Sequence, residues 1–94
     1  MLFSKVDLAA VLSQDDYHYL LLMLGIAAEK PDPDAKKVPK LSAKIRESRF
    51  LSRSDFKTLM NLLSLVSLND MANHRMSPED IINTGVMLNN LKNL

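Results

Sequence analysis

The chain has 94 residues, enough to bury one hydrophobic core and too few for a second, so a single domain covering residues 1–94 is expected. Apolar residues make up 47% of the chain and charged residues 24%, a balance that excludes a disordered protein and is typical of globular ones. The formal net charge is +1, and the absence of cysteine excludes a disulfide framework and a cysteine-based zinc site. Such a chain suits a reducing compartment, so we expect it inside the cell, in the cytoplasm, and not secreted.

A pattern that marks helix starts recurs along the chain. An apolar residue is followed by Ser, two further residues, an acidic residue and another apolar residue. In a capping box, the Ser hydroxyl accepts from the amide three positions on, while the acidic side chain reaches back to the Ser amide. Each such cap stabilises a helix by about 1 kcal/mol. The pattern also gives the pairs Asp15-Asp16 and Glu79-Asp80 a structural role, although paired carboxylates can indicate catalysis. Helix starts are predicted from its copies at Ser4, Ser13, Ser52 and Ser77.

The elements that follow from these starts are all helical, because no alternation of apolar and polar residues indicates a β-strand. Pro31 ends the second helix, since a residue before proline is displaced from the helical region. The segment 31–39, rich in Pro, Asp and Lys, is predicted to be a connector. Gly85 inside the last helix costs about 1 kcal/mol relative to Ala, which indicates a close helix crossing there. The sequence predicts a compact bundle of four to five helices, covering residues 5–12, 14–30, 40–50, 53–73 and 78–93.

The longest nearly unbroken apolar stretch, residues 19–28, is about half of the roughly 20 residues that a membrane-spanning helix needs. Near the start of the chain, Asp7 and the single basic residue Lys5 disfavour a secretory signal. We therefore expect no membrane partner.

The predicted fourth helix, residues 53–73, is apolar on two sides. Phe56, Leu59 and Leu63 form part of one stripe, and three further leucines lie nearly opposite. The second helix is also apolar around most of its circumference. Either both helices lie centrally beneath the other three, or one keeps an apolar face for a partner, which we slightly favour. The candidate partner-binding residues are Leu62, Leu65 and Leu68.

Charge is segregated along the chain. Residues 1–35 carry two basic and six acidic residues, a net of −4, whereas residues 36–57 carry eight basic and two acidic residues, a net of +6. A basic surface of this kind neutralises nucleic-acid phosphates, docks an acidic protein, or pairs with the chain's own acidic part. Pairing within the chain, or solvation, is the simplest of these interpretations. The basic residues are Lys36, Lys37, Lys40, Lys44, Arg46, Arg49, Arg53 and Lys57.

No residue pattern indicates chemistry. His18 and His74 are the only histidines, and without cysteine or a paired spacing they predict no metal site. The two glycines, Gly25 and Gly85, cannot build a glycine-rich phosphate loop, and there is no nucleophile elbow. We therefore expect no enzyme, no catalytic residue and no metal or other cofactor.

Three segments resemble the last two helices of Rho GTPase-activating domains, whose motifs read N-x-x-T-L, L-L and N-K-M-S. They are residues 55–59, 62–63 and 74–78. The resemblance covers less than half of the chain and includes neither the family's Gly-Pro after the last motif nor its arginine-finger segment. It therefore implies no catalytic residue here.

The sequence favours a non-enzymatic protein–protein interaction module, such as a small adaptor, inhibitor or complex subunit, that acts through an apolar helical face. Its partner would be another protein or a second copy of the chain, and no small-molecule substrate is evident. The alternative is a nucleic-acid-binding accessory protein that uses the basic segment 36–57.

Overall fold

The computed structural model describes residues 5–94, which form five α-helices, one two-stranded β-ribbon and two 3₁₀ helices. The α-helices are α1 Gln14–Ala27, α2 Val38–Glu47, α3 Arg53–Ser64, α4 Leu68–Asn73 and α5 Pro78–Lys92. The strands are β1 Lys5–Asp7 and β2 Phe50–Ser52, and the 3₁₀ helices are Leu8–Ala10 and Pro33–Lys37. The predicted all-α bundle is confirmed, with a small ribbon added to it.

The predicted first helix, residues 5–12, is wrong. Instead β1 pairs with β2 in an antiparallel register that places Val6 opposite Leu51, and Asp7 then caps the 3₁₀ helix by accepting from the Ala9 amide. Ser4, the other half of the predicted capping box, lies outside the described residues. The ribbon also shortens the predicted helix 40–50, because β2 begins at Phe50 and α2 already ends at Glu47. Strands of three residues are too short to show a period of two in the sequence.

The predicted long helix 53–73 is interrupted. α3 ends at Ser64, and α4 starts again after a capping box in which Ser67 and Asp70 exchange hydrogen bonds of 3.0 and 2.9 Å. The pattern Val66-Ser67-Leu68-Asn69-Asp70-Met71 is a fifth copy of the helix-start pattern. The apolar periodicity that runs through this segment hid the break.

Two of the predicted capping boxes are present in full. Ser13 closes one with Asp16 at the start of α1, and Ser77 closes the other with Asp80 at the start of α5. Ser52 caps α3 with its hydroxyl only.

The predicted connector 31–39 has regular structure. Its 3₁₀ helix is capped by Asp32 and leads directly into α2, and Ala35 and Val38 are buried. The segment is therefore part of the folded bundle and contributes to its core.

α1 is the central helix, because it packs against α2, α3, α4 and α5. The buried side chains of all five helices join in one core cluster. Gly85 does not mark a helix crossing, since it is exposed and nothing lies within 4 Å of the position that a Cβ would take. α1 thus lies at the centre of the bundle. The expectation that one apolar helix face is kept for a partner stays a prediction.

Candidate functional site

A groove of about 590 Å³, open to solvent, runs beside α1 and is the candidate functional site; we call it the α1 groove. One wall is a single face of α1, because residues three and four positions apart lie on the same side of a helix. The other wall comes from the last turn of α2, the turn that joins α4 to α5, and the first turn of α5. The α1 wall consists of His18, Leu21, Leu22, Gly25 and Ile26, and the other wall of Arg46, His74, Arg75, Met76 and Asp80.

The aliphatic side chains that line both walls, Leu21, Leu22, Ile26 and Met76, together form what we call the floor of the α1 groove. Leu21, Ile26 and Met76 pack on the hydrophobic core with their inner sides, whereas Leu22 is 41% exposed. Gly25 adds room at the centre of the wall, because the space where a Cβ would lie is empty to 4 Å. A partner side chain therefore finds an apolar surface with space above it.

Two arginines line the wall opposite α1, and we call their side chains the rim of the groove. Arg46 and Arg75 are exposed, and neither forms an ion pair with any residue between 5 and 94. By contrast, Arg49 lies 2.9 Å from Asp7 and stacks over the ring of Phe50 at 4.9 Å. The guanidinium groups of Arg46 and Arg75 are thus available to a bound partner, whereas that of Arg49 is already paired with Asp7.

Asp80 is the one carboxylate in the groove lining. The side chain of Ser77, followed by the hydroxyl of Tyr19, which donates to Asp80 over 3.1 Å, holds the pKa of Asp80 below its ordinary value. Asp80 also lies in the first turn of α5, where the helix dipole favours a negative charge. Its charge is therefore stabilised within the fold.

His74 is held at the end of α4. Its Nδ1 donates to the Asp70 carbonyl oxygen over 2.9 Å, and its Nε2 lies 3.4 Å from a carboxylate oxygen of Glu29. The Asp70 carbonyl and then Glu29 raise the pKa of His74 above its ordinary value. The imidazole therefore gains a positive charge more readily than a free histidine does.

Arg75 has an unusual backbone, with a φ of 61° in the left-handed region. It is the residue after the α4 cap in a Schellman motif. Its own amide donates to the carbonyl oxygen of Ala72, and the amide of Met76 donates to the carbonyl oxygen of Met71. Glycine is the usual residue there, because a Cβ is disfavoured in this conformation. The turn therefore holds an arginine at a position where a side chain is costly.

The three leucines predicted to bind a partner do not form one face. Leu62 is 0% exposed and belongs to the core, so it cannot contact a partner, and Leu65 packs on the core at the end of α3. Leu68 is 68% exposed at the start of α4. The break between α3 and α4 separates Leu68 from the other two.

The eight basic residues predicted as a surface divide into two groups. Lys37 and Arg49 form ion pairs with Asp34 and Asp7 of the acidic segment 1–35, at 3.0 and 2.9 Å, whereas Lys44 pairs at 2.8 Å with Asp55, which lies in the basic segment itself. The remaining five are exposed and form no ion pair within residues 5–94, and one of them, Arg46, lines the α1 groove. These five are Lys36, Lys40, Arg46, Arg53 and Lys57.

Sequence reasoning missed the α1 groove and Arg75. The outer face of α1 has a readable signal, since residues 18, 21, 22, 25 and 26 follow helical spacing, but the apolar residues around them obscured it. Nothing in the sequence places Arg46 and Arg75 on the opposite wall, because Arg46 lies on α2 and Arg75 lies in the α4–α5 turn.

Two further searches of residues 5–94 concern buried polar groups and metal ligands. Within residues 5–94 no buried side-chain nitrogen or oxygen lacks a hydrogen-bond partner, and no three His, Asp or Glu side chains are grouped to hold a metal ion. In the same part of the chain, no helix has the length and hydrophobicity needed to cross a membrane.

Compared with known proteins, the chain matches no family, no curated protein and no solved structure. The similarity to Rho GTPase-activating domains therefore has no support beyond the three short segments that carry it. What the chain does has to be inferred from the α1 groove and the charged surface around it.

Proposed function

We propose that the protein is a non-enzymatic protein–protein interaction module whose α1 groove receives apolar side chains of a partner protein. The observation that carries this proposal is the open aliphatic floor around the half-exposed Leu22. Leaving such a surface in water costs free energy, and its burial by a partner recovers about 25 cal/mol per Å² of apolar area. Apolar grooves between helices commonly accept an amphipathic helix. We further propose that the interaction takes place in the cytoplasm, because a cysteine-free chain needs no oxidising compartment.

The test uses a displayed library of random peptides about 16 residues long, which is about four helical turns. The library is selected on the full chain, and the enriched peptides are then measured on variants by fluorescence anisotropy. Leu22→Asp places a charge on the groove floor, and Gly25→Leu fills its centre. Leu68→Asp is the matched control, because Leu68 is exposed and does not line the groove.

Peptides that bind the wild type and Leu68→Asp, and bind neither groove variant, would support the proposal. Circular dichroism of each variant checks that the helices are intact. If the enriched peptides bind all four proteins equally, the α1 groove is not the binding site and the proposal fails.

A second candidate function, binding of nucleic acid, is favoured by four exposed basic residues of the segment 36–57 that lie outside the α1 groove and form no ion pair within residues 5–94. They lie on or next to α2 and α3, and the salt dependence of binding to a short DNA or RNA duplex tests their role. Each phosphate contact contributes about 0.9 to the slope of log K against log salt for B-DNA, so Lys40→Gln and Lys57→Gln should each lower that slope. Absence of binding at low ionic strength removes this candidate. The four residues are Lys36, Lys40, Arg53 and Lys57.

A further inference from the structure

We propose that the partner segment is acidic as well as apolar, and that Arg46 and Arg75 receive its carboxylates while the groove floor receives its apolar side chains. This inference rests on the proposed function and names the chemistry of the partner. Both arginines line the α1 groove from the wall opposite α1, and neither is engaged by an acidic residue between positions 5 and 94. A guanidinium offers paired donors that match a carboxylate, so it selects an acidic segment over a neutral one.

The backbone of Arg75 is an independent observation in the same direction. Glycine, the usual residue at this position of a Schellman motif, would adopt the φ of 61° without the steric cost that a Cβ brings. No ion pair with residues 5–94 offsets the cost of this conformation. Strained residues concentrate at binding sites, where the surrounding structure holds a side chain in the orientation that a ligand needs. The α4–α5 turn thus fixes the backbone of Arg75 beside the groove, so that its side chain starts from the groove wall.

The acidic groups near the groove do not cancel this charge. Asp80 accepts hydrogen bonds from Tyr19 and from the amide of Ser77, and Glu29 lies against His74 at 3.4 Å. Neither carboxylate forms an ion pair with an arginine of the groove. An incoming carboxylate therefore meets two exposed guanidinium groups at the rim.

The lining favours an acidic peptide over nucleic acid. Among residues 5–94, no phenylalanine, tyrosine or tryptophan lines the groove, whereas single-stranded nucleic acid is held largely by stacking of its bases on such rings. The aliphatic floor gives a phosphate backbone nothing to contact. Leucine or isoleucine side chains of a peptide fit that floor, with carboxylates placed beside the two arginines.

The experiment repeats the peptide selection on the full chain and on two double variants. Arg46→Glu with Arg75→Glu reverses the charge at the groove rim. Arg53→Glu with Lys57→Glu is the matched control, because it changes the net charge equally at exposed positions that do not line the groove. The acidic content of the enriched peptides is compared among the three selections. The best wild-type peptide is also compared with its Glu→Gln counterpart, and sedimentation velocity reports self-association.

The proposal expects acidic, leucine-rich peptides from the wild type and the control, and loss of the acidic enrichment with the rim variant. The Glu→Gln peptide should bind roughly 2- to 30-fold more weakly, since two exposed ion pairs are lost. If the peptides require Leu22 but show no acidic enrichment, this inference is overturned and the proposed function stands. If no peptide requires Leu22, the proposed function itself fails. A dimer that Leu22→Asp abolishes would assign the groove to a second copy and overturn the inference as well.

Discussion

Arg75→Gly is expected to make the protein more stable and a weaker binder. The left-handed conformation costs a residue with a Cβ roughly 1–2 kcal/mol, and glycine avoids this cost. Glycine also increases the entropy of the unfolded chain, which removes about 0.4–1 kcal/mol of the gain. No ion pair with residues 5–94 is lost, because Arg75 forms none there. The middles of these two ranges give a net gain of about 0.8 kcal/mol, so we expect the free energy of unfolding to rise by about 0.5–1 kcal/mol.

The assay for Arg75→Gly is urea denaturation followed by circular dichroism, with thermal melting as a second measure. For a domain of this size, a gain of 0.5–1 kcal/mol raises Tm by about 2–8 °C. Arg75→Ala is the control, because alanine removes the guanidinium but keeps the Cβ, so its stability should stay within about 0.5 kcal/mol of wild type. Equal stability of the two variants, or a loss with glycine, would refute the reasoning from backbone strain. Both variants should bind an acidic peptide more weakly than the wild type.

Three further predictions concern the fold. Gly85→Ala should raise the free energy of unfolding by up to about 1 kcal/mol, because the site is helical and open; an unchanged urea midpoint would contradict this. Leu62→Asp should abolish the cooperative melt, because it buries an unpaired charge, whereas Leu68→Asp should melt as the wild type does; two similar melts would place Leu62 outside the core. Hydrogen bonding to Lys30 and then to Ser67 lowers the pKa of Asp70 to about 2. Because this folded-state pKa lies below the unfolded value, the associated stability is present above about pH 4 and is lost as the pH falls towards 2. Urea midpoints measured from pH 5 to pH 2 should therefore fall less steeply in Lys30→Met than in the wild type. Parallel curves would exclude the Lys30–Asp70 ion pair as the cause of the loss of stability in acid.

The helix starts were predictable where the signal is local. Ser13 and Ser77 each meet their acidic partner within four residues, so the sequence alone places the starts of α1 and α5. The same pattern is present at Ser67, but the apolar periodicity that continues from α3 into α4 predicts an unbroken helix there. At this segment the capping pattern indicates the helix boundary correctly, whereas the unbroken apolar periodicity does not.

The ribbon and the α1 groove could not be predicted, because both depend on residues that are distant in the chain. Val6 is ordinary in a helix and becomes a strand residue only when Leu51 is placed opposite it. Likewise Leu22, Arg46 and Arg75 lie on three different elements, and only the packing of α1 beneath the others brings them to one groove. Local sequence propensity does not predict contacts between residues that are far apart in the chain.

The position of the β-ribbon also bears on synthesis. Val6 and Leu51 are 45 positions apart, so β1 has no partner until β2 has been translated. At about 5–20 residues per second, this interval lasts about 2–9 seconds. During that time α1 has its own capping box and is able to form, whereas the amides and carbonyls of β1 are unpaired and open to other strands. A nascent chain paused before residue 50 would expose β1 for longer, so the rate of translation through α2 sets how long the first strand is vulnerable.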